Sequence, residues 1–98
     1  MTRVRVLREA AEELRAAAEY YEAQRPGLGR ALLQEVRLVY QRMSDHPAAS
    51  RIERNEVRVR AVGRFPYRIY YRARHDEILI IAVAHKRRRP DFWVTRTT

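Results

Sequence analysis

The chain of 98 residues contains no cysteine. That absence removes disulfides, thiolate nucleophiles and cysteine-based zinc sites together. Glycine is scarce, and Gly27, Gly29 and Gly63 form no phosphate-cradling loop ahead of a helix, so ATP and dinucleotide binding are not expected. The histidines His46, His75 and His85 lie at separate element ends, without an i, i+4 spacing or a companion carboxylate in HExxH form, and no metal site is expected. Ser44 and Ser50 sit in ordinary loop contexts, and no Ser-His-Asp arrangement is recognisable. The longest apolar run, Ile78 to Ala84, is far too short to span a bilayer. The N-terminus opens on alternating arginine and valine instead of a signal-like segment. These absences together predict a cytoplasmic protein with no cofactor, no metal and no membrane contact.

What the chain has in quantity is arginine. The formal charge of +9 comes from 21 basic side chains, of which Lys86 is the single lysine. Residues 1–49 carry 8 basic and 7 acidic side chains, whereas residues 50–98 carry 13 and 5. The positive field therefore belongs to the second half, and guanidinium groups are the better fork for phosphate and carboxylate. A polyanionic partner, either nucleic acid or an acidic protein segment, follows from that asymmetry; the competing reading is an arginine-rich solubilising surface. A hydrophobic fraction of 46%, spread along the whole sequence, is enough to bury a core, and the length suits one domain over residues 1–98.

Periodicity divides the chain into five or six elements. Arg3 to Leu7 alternates with a period of two and reads as a short strand. From Arg8 the period lengthens: Ala10, Leu14, Ala17, Ala18 and Tyr21 recur at helical steps opposite a row of glutamates. Pro26-Gly27 breaks this helix, and Leu28, Leu32, Val36, Val39, Tyr40 and Met43 mark a second one that ends before His46-Pro47. So short a break predicts an antiparallel helical hairpin. Pro47 to Asn55 reads as a polar loop. Val57, Val59 and Ala61 then alternate with Arg58 and Arg60, and Gly63 offers a turn. Phe65, Tyr67, Ile69, Tyr71 and Ala73 next alternate with polar partners, and His75-Asp76-Glu77 makes a hairpin connection. Ile78 to Ala84 has no polar face and should be a central strand covered on both sides. The expected fold is α+β, in the order β-α-α-β-β-β, with the helical hairpin packed on a mostly antiparallel four-stranded sheet.

The chemistry on offer is arginine on a sheet face. If Val57, Val59 and Ala61 point to the helices, Arg58 and Arg60 point away, as do Arg68 and Arg72 on the next strand. With His85, Lys86, Arg87 and Arg88 at the end of the apolar strand and Tyr70 alongside, this face could grip phosphates and stack a base. It could equally be the solvated face of an arginine-rich protein. The tail, Pro90-Asp91-Phe92-Trp93, should fold back over the sheet, with Trp93 as a core plug or as a contact to a target.

The order of these elements, the strand Phe65-Pro66-Tyr67-Arg68-Ile69-Tyr70-Tyr71-Arg72, the strand exit Ala84-His85-Lys86-Arg87-Arg88 and the terminal Pro90-Asp91-Phe92-Trp93 resemble the RelE/ParE superfamily of toxins. The resemblance covers nearly the whole chain and implies a type II toxin–antitoxin system: a toxin that arrests growth, stabilises plasmids, and is held in a hetero-oligomer by a cognate antitoxin whose C-terminal segment wraps it. It leaves two targets. ParE-like members bind and poison DNA gyrase without covalent chemistry, whereas RelE-like members cut mRNA on the ribosome. For the second mechanism the resemblance points to Arg58 and Arg60 as a basic pair, with Arg68 and Arg87 as further phosphate-binding groups. The tail tyrosine of that mechanism is replaced here by Trp93, whose indole cannot exchange a proton at useful pH. His85 is the one candidate acid or base, or else a strand-end histidine bonded to backbone. The helical hairpin and the strand entry and exit look ParE-like. A target or nucleic-acid surface is then expected from Arg58, Arg60, Arg68, Arg72, Lys86, Arg87, Arg88 and Trp93.

Overall fold

The computed structural model describes residues 2–97 and places the elements in the order β1 (Arg3–Val6), α1 (Arg8–Gln24), α2 (Leu28–Asp45), β2 (Ile52–Arg54), β3 (Val57–Val62), β4 (Phe65–Arg74) and β5 (Glu77–His85). A short 3-10 turn, Val94–Thr97, follows. The helical hairpin forms where expected. Gly27 turns the chain in the left-handed region at φ 90°, and Glu22 of α1 accepts hydrogen bonds from the N–H groups of Gly27 at 2.8 Å and Gly29 at 3.0 Å. A side chain of one helix thus satisfies donors that the start of the next would leave orphaned.

The sheet runs β1-β5-β4-β3-β2, antiparallel throughout except for the parallel pair β1 and β5. It has five strands where four were expected. The extra strand, β2, lies inside the stretch read from the sequence as a polar loop. Asn55 and Glu56, at φ 53° and 62°, form the two-residue connection between β2 and β3, and two successive positive φ values suit the right-handed twist of a tight hairpin. β2 is exposed along its length, which is why no hydrophobic alternation announces it. The apolar strand β5 is interior, flanked by β1 and β4.

Both faces of β5 are covered, as its sequence requires. On one face Ile78, Ile80 and Val83 join Ile69 and Tyr71 of β4 beneath Leu32, Val36, Val39 and Met43 of α2 and Ala10 and Ala17 of α1. On the other, Ile81 and Ala82 join Val57, Val59, Tyr70 and Trp93 in a second cluster. The switch happens at a bulge: Tyr71 pairs with Ile80 but Tyr70 pairs with Ala82, so Ile81 is the extra residue and two successive apolar side chains point the same way. Pairing with β1 ends at Val6 and Ile80, and only the Leu7 N–H continues it, to the Ile80 carbonyl. From the bulge to His85, therefore, β5 pairs with β4 on one side and, among the described residues, has no strand on the other. Among the described residues, no helix is long and apolar enough to cross a membrane.

Candidate target-binding face

Trp93 decides what the face opposite the helices can do. The tail after β5 folds back across the sheet, as anticipated, and the indole is fully buried against Tyr70, with ring centroids 5.6 Å apart. Phe92 meets the same Tyr70 edge-on at 5.8 Å. A plug at this position covers the middle of the face and leaves basic residues at both ends. Its Nε1 is buried without a hydrogen-bond partner among the described residues.

The tail is locked by a carboxylate from the other layer. Glu13 of α1 accepts from Arg96 Nη1 and Nη2, both at 2.9 Å, from Arg88 Nη1 at 2.9 Å and from the Val83 N–H at 3.1 Å. Arg96 Nη1 also donates to the Ile81 carbonyl at 3.1 Å. Together Glu13 and Arg96 satisfy two backbone groups on the open edge of β5, the work a neighbouring strand would do. The Glu13 hydrogen bond raises the already high pKa of Arg96, so the guanidinium stays charged. Arg88 and Arg96 also lie over the Phe92 ring, 4.0 and 5.2 Å from its centroid.

The structure divides the arginines that the sequence placed on one face. Arg68 and Arg72 do share the tail-covered face with Tyr70. Arg58 and Arg60 do not: they pair across strands with Tyr71 and Ile69, both on the helix-covered side, whereas Val59 pairs with Tyr70 under the tail. Alternation along β3 establishes that valine and arginine occupy opposite faces, but the second apolar cluster around Trp93 claims the valines. Arg58 donates to the carbonyls of Ala48 and Ser50 and so braces the loop before β2. Arg60 keeps one buried guanidinium nitrogen, Nη1, without a hydrogen-bond partner among the described residues.

Arg68 and Lys86 come together with Arg64 around a cavity of about 330 Å³ beside the β3–β4 turn, also lined by Phe65 and Tyr67. Arg87 is exposed on the loop beyond it. His85 accepts the Arg87 N–H on Nδ1 at 3.1 Å, and its ring stands edge-on to Tyr67 at 5.6 Å. Burial, followed by the neighbouring Tyr21 and Tyr20 hydroxyls, raises the Tyr67 pKa, so this phenol holds its proton. Arg88 is committed to Glu13 and Phe92, and Trp93 to the core. Arg64, Glu13 and Arg96 escaped the sequence reading; the positive run near Gly63 could have revealed the first, but the pairing of Glu13 with Arg96 spans the chain and leaves no local signal.

A second feature lies on the outer side of the helical layer. Val6, Ala11, Leu14, Ala18, Leu33 and Tyr40 line an apolar groove of about 590 Å³ whose rim carries Arg15, Glu19, Glu22 and Arg30. Val6 and Leu33 are substantially exposed there. Burial pushes the Tyr40 pKa up to about 12, and its hydroxyl has no hydrogen-bond partner among the described residues.

A two-helix hairpin on one face of a mixed sheet, a tail plug on the other, and arginines around the plug define a small basic α+β protein. A family model for the ParE toxin of the type II toxin–antitoxin system parDE matches residues 4–90. The chain belongs to the ParE toxin family. A solved structure described as the chromosomal ParDE toxin–antitoxin system from P. aeruginosa is similar in fold, with a TM-score of 0.75 and 21% identity over 87% of this chain and 96% of that one. No curated protein matches the sequence.

Proposed function

We propose that this chain is the toxin of a cytoplasmic type II toxin–antitoxin pair, that it arrests growth by binding DNA gyrase, and that a cognate antitoxin neutralises it in a hetero-oligomer. The observation that carries this reading is the family match over residues 4–90. Geometry adds two supports. Gripping a protein or its DNA requires accessible cations, which exposed Arg64, Lys86 and Arg87 and half-buried Arg68 supply, and requires no proton transfer. The apolar groove with its charged rim suits the apolar face of an amphipathic antitoxin helix.

The RelE-like alternative, a ribosome-dependent mRNA endonuclease, draws on the same Arg68 and Arg87. It is the weaker reading because Arg58 and Arg60 lie across the sheet from them, Trp93 is buried, and His85 has one ring nitrogen engaged with backbone.

The deciding experiment induces the chain without a partner in a bacterial host and follows DNA synthesis and translation separately by pulse labelling. The expected result is growth arrest with DNA synthesis failing first, and loss of gyrase supercoiling when purified toxin is added. Translation failing first, with mRNA cut in ribosomal frame, would replace this reading with the endonuclease. Unimpeded growth despite soluble expression would remove the toxin role.

A further inference from the structure

The end of the tail-covered face farthest from the β3–β4 turn carries arginines that the proposed gyrase contact does not use. Cross-strand pairing sets them in two rows over three strands: Arg3–Glu77–Arg74 and Arg5–Leu79–Arg72. Residues two apart on a strand point the same way and stand roughly 6.7 Å apart, and strands on either side of a third are roughly 9.6 Å apart. Arg3 and Arg5 therefore form one cationic rail and Arg72 and Arg74 a second, with Glu77 and Leu79 as the floor of a trough between them. Near the floor, Arg5, Arg72, Arg74, Glu77 and Leu79 enclose a cavity of about 140 Å³.

The trough is only partly neutralised. Glu77 takes both contacts from Arg5, at 3.4 Å each, and lies 4.0 Å from Arg3; Arg74 stands 3.9 Å from Glu56. Among the described residues, Arg72 has no salt bridge, and its buried Nε has no hydrogen-bond partner. A buried guanidinium N–H left without an acceptor is costly unless a ligand supplies one. The acceptor that fits beside three other guanidinium groups is anionic oxygen.

We propose that this trough binds the phosphate backbone of double-helical nucleic acid without regard to sequence. One feature favours that ligand over an acidic peptide, and a second favours double over single strands. Arginines two apart on each rail repeat at a step comparable with successive phosphates of one strand, which a backbone polyanion matches and scattered carboxylates do not. No aromatic ring lines the trough cavity, and Tyr70, the nearest aromatic along β4 on this face, is buried under Trp93. Base stacking is therefore unavailable, and with it the usual device for selecting single strands. The trough lies outside the cavity assigned above to the target, so it stands independently of the gyrase reading.

The test is fluorescence anisotropy of the full chain on a labelled random-sequence DNA duplex of about twenty base pairs, titrated over a range of salt. Two variants with equal charge loss are compared: Arg3→Gln/Arg5→Gln/Arg74→Gln in the trough and Arg25→Gln/Arg37→Gln/Arg42→Gln on the helical layer, all at exposed positions. The trough variant should lose affinity at least about tenfold, and its dependence of log K on log salt should flatten by about two to three, roughly 0.9 for each phosphate contact removed. The helix variant should keep the original slope. Equal losses in both would overturn the proposal in favour of diffuse charge, as would absence of duplex binding at low salt. Competition by polyglutamate at concentrations matching the duplex would overturn it in favour of an acidic protein segment. Arg72→Met adds a check on the buried Nε; should that variant fail to fold, the exposed triple variant still decides.

Discussion

The two faces of the sheet are closed by opposite means. The helix-covered face is built from local pattern: two long helices each bring an apolar stripe, and Leu32, Val36, Val39 and Met43 of α2 seat on Ile69, Tyr71, Ile78 and Ile80. The tail-covered face has no helix. One tryptophan, carried by a stretch with only a single 3-10 turn, seals Val57, Val59, Tyr70, Ile81 and Ala82 from water. A face closed by a plug keeps its ends open, and both ends are arginine-rich. Function can gather there because the covering element is small.

The comparison is broken most severely at the plug. Trp93→Ala should destabilise the protein by about 4 kcal/mol, as much as truncating a large side chain anywhere in the helix-covered core. Urea denaturation measures it. Since Trp93 is the only tryptophan, its fluorescence in the unmutated protein reports on the tail-covered face while far-ultraviolet dichroism reports on the helices. The two transitions should coincide. A fluorescence change that precedes helix loss would mean that the tail is a strap laid on a sheet already stable without it.

The difference between the faces also explains what could be read from sequence. Helix periodicity, the Pro26-Gly27 break and the uninterrupted apolar run of β5 are local signals, and each led to the observed element. β2 was missed because Ile52–Arg54 is exposed and so short that nothing alternates. The misplacement of Arg58 and Arg60 has a different cause. A two-residue period names two faces without saying which one the helices cover, and when both are buried the apolar set does not choose. Register did choose, by setting Val59 opposite Tyr70. For the site, residues adjacent in sequence such as Lys86 and Arg87 could be found, and so could Arg68. The rows joining Arg5 to Arg72, and Glu13 to Arg96, close only when distant strands and the tail meet.

A smaller break should come at the lock between the faces. Arg96→Met leaves Glu13 with Arg88 and the Val83 N–H but strips the Ile81 carbonyl of its donor. With both side chains of the pair about 15% exposed, the expected loss is about 2 kcal/mol, read from the urea midpoint at unchanged slope. Proteolysis between Arg87 and Asp91 should accelerate with it, because the tail would open more often. A loss below about 0.5 kcal/mol would place this pair with ordinary surface salt bridges and leave Trp93 alone to hold the tail.

The mildest effect belongs to a second glutamate of α1, Glu22, which binds backbone within the helical layer itself. Hydrogen bonds from the Gly27 N–H and, less strongly, from Gly29 hold the Glu22 pKa below the usual glutamate value, against some desolvation. A carboxylate whose folded pKa is depressed contributes stability that is present above its unfolded pKa and is lost as the pH falls through the folded one. The melting temperature of Glu22→Gln should therefore lie slightly below that of the unmutated protein near neutral pH, and the gap should close on acidification through and beneath the usual glutamate range. Glu13 is ion-paired with Arg88 and Arg96, whereas Glu22 is held chiefly by backbone amides, with the charge of Arg30 adding a smaller pull. A gap that stays constant across that range would show that the side-chain oxygen of Glu22 caps α2 equally well without its charge, leaving Glu13 as the α1 carboxylate whose ion pairing holds two parts of the fold together.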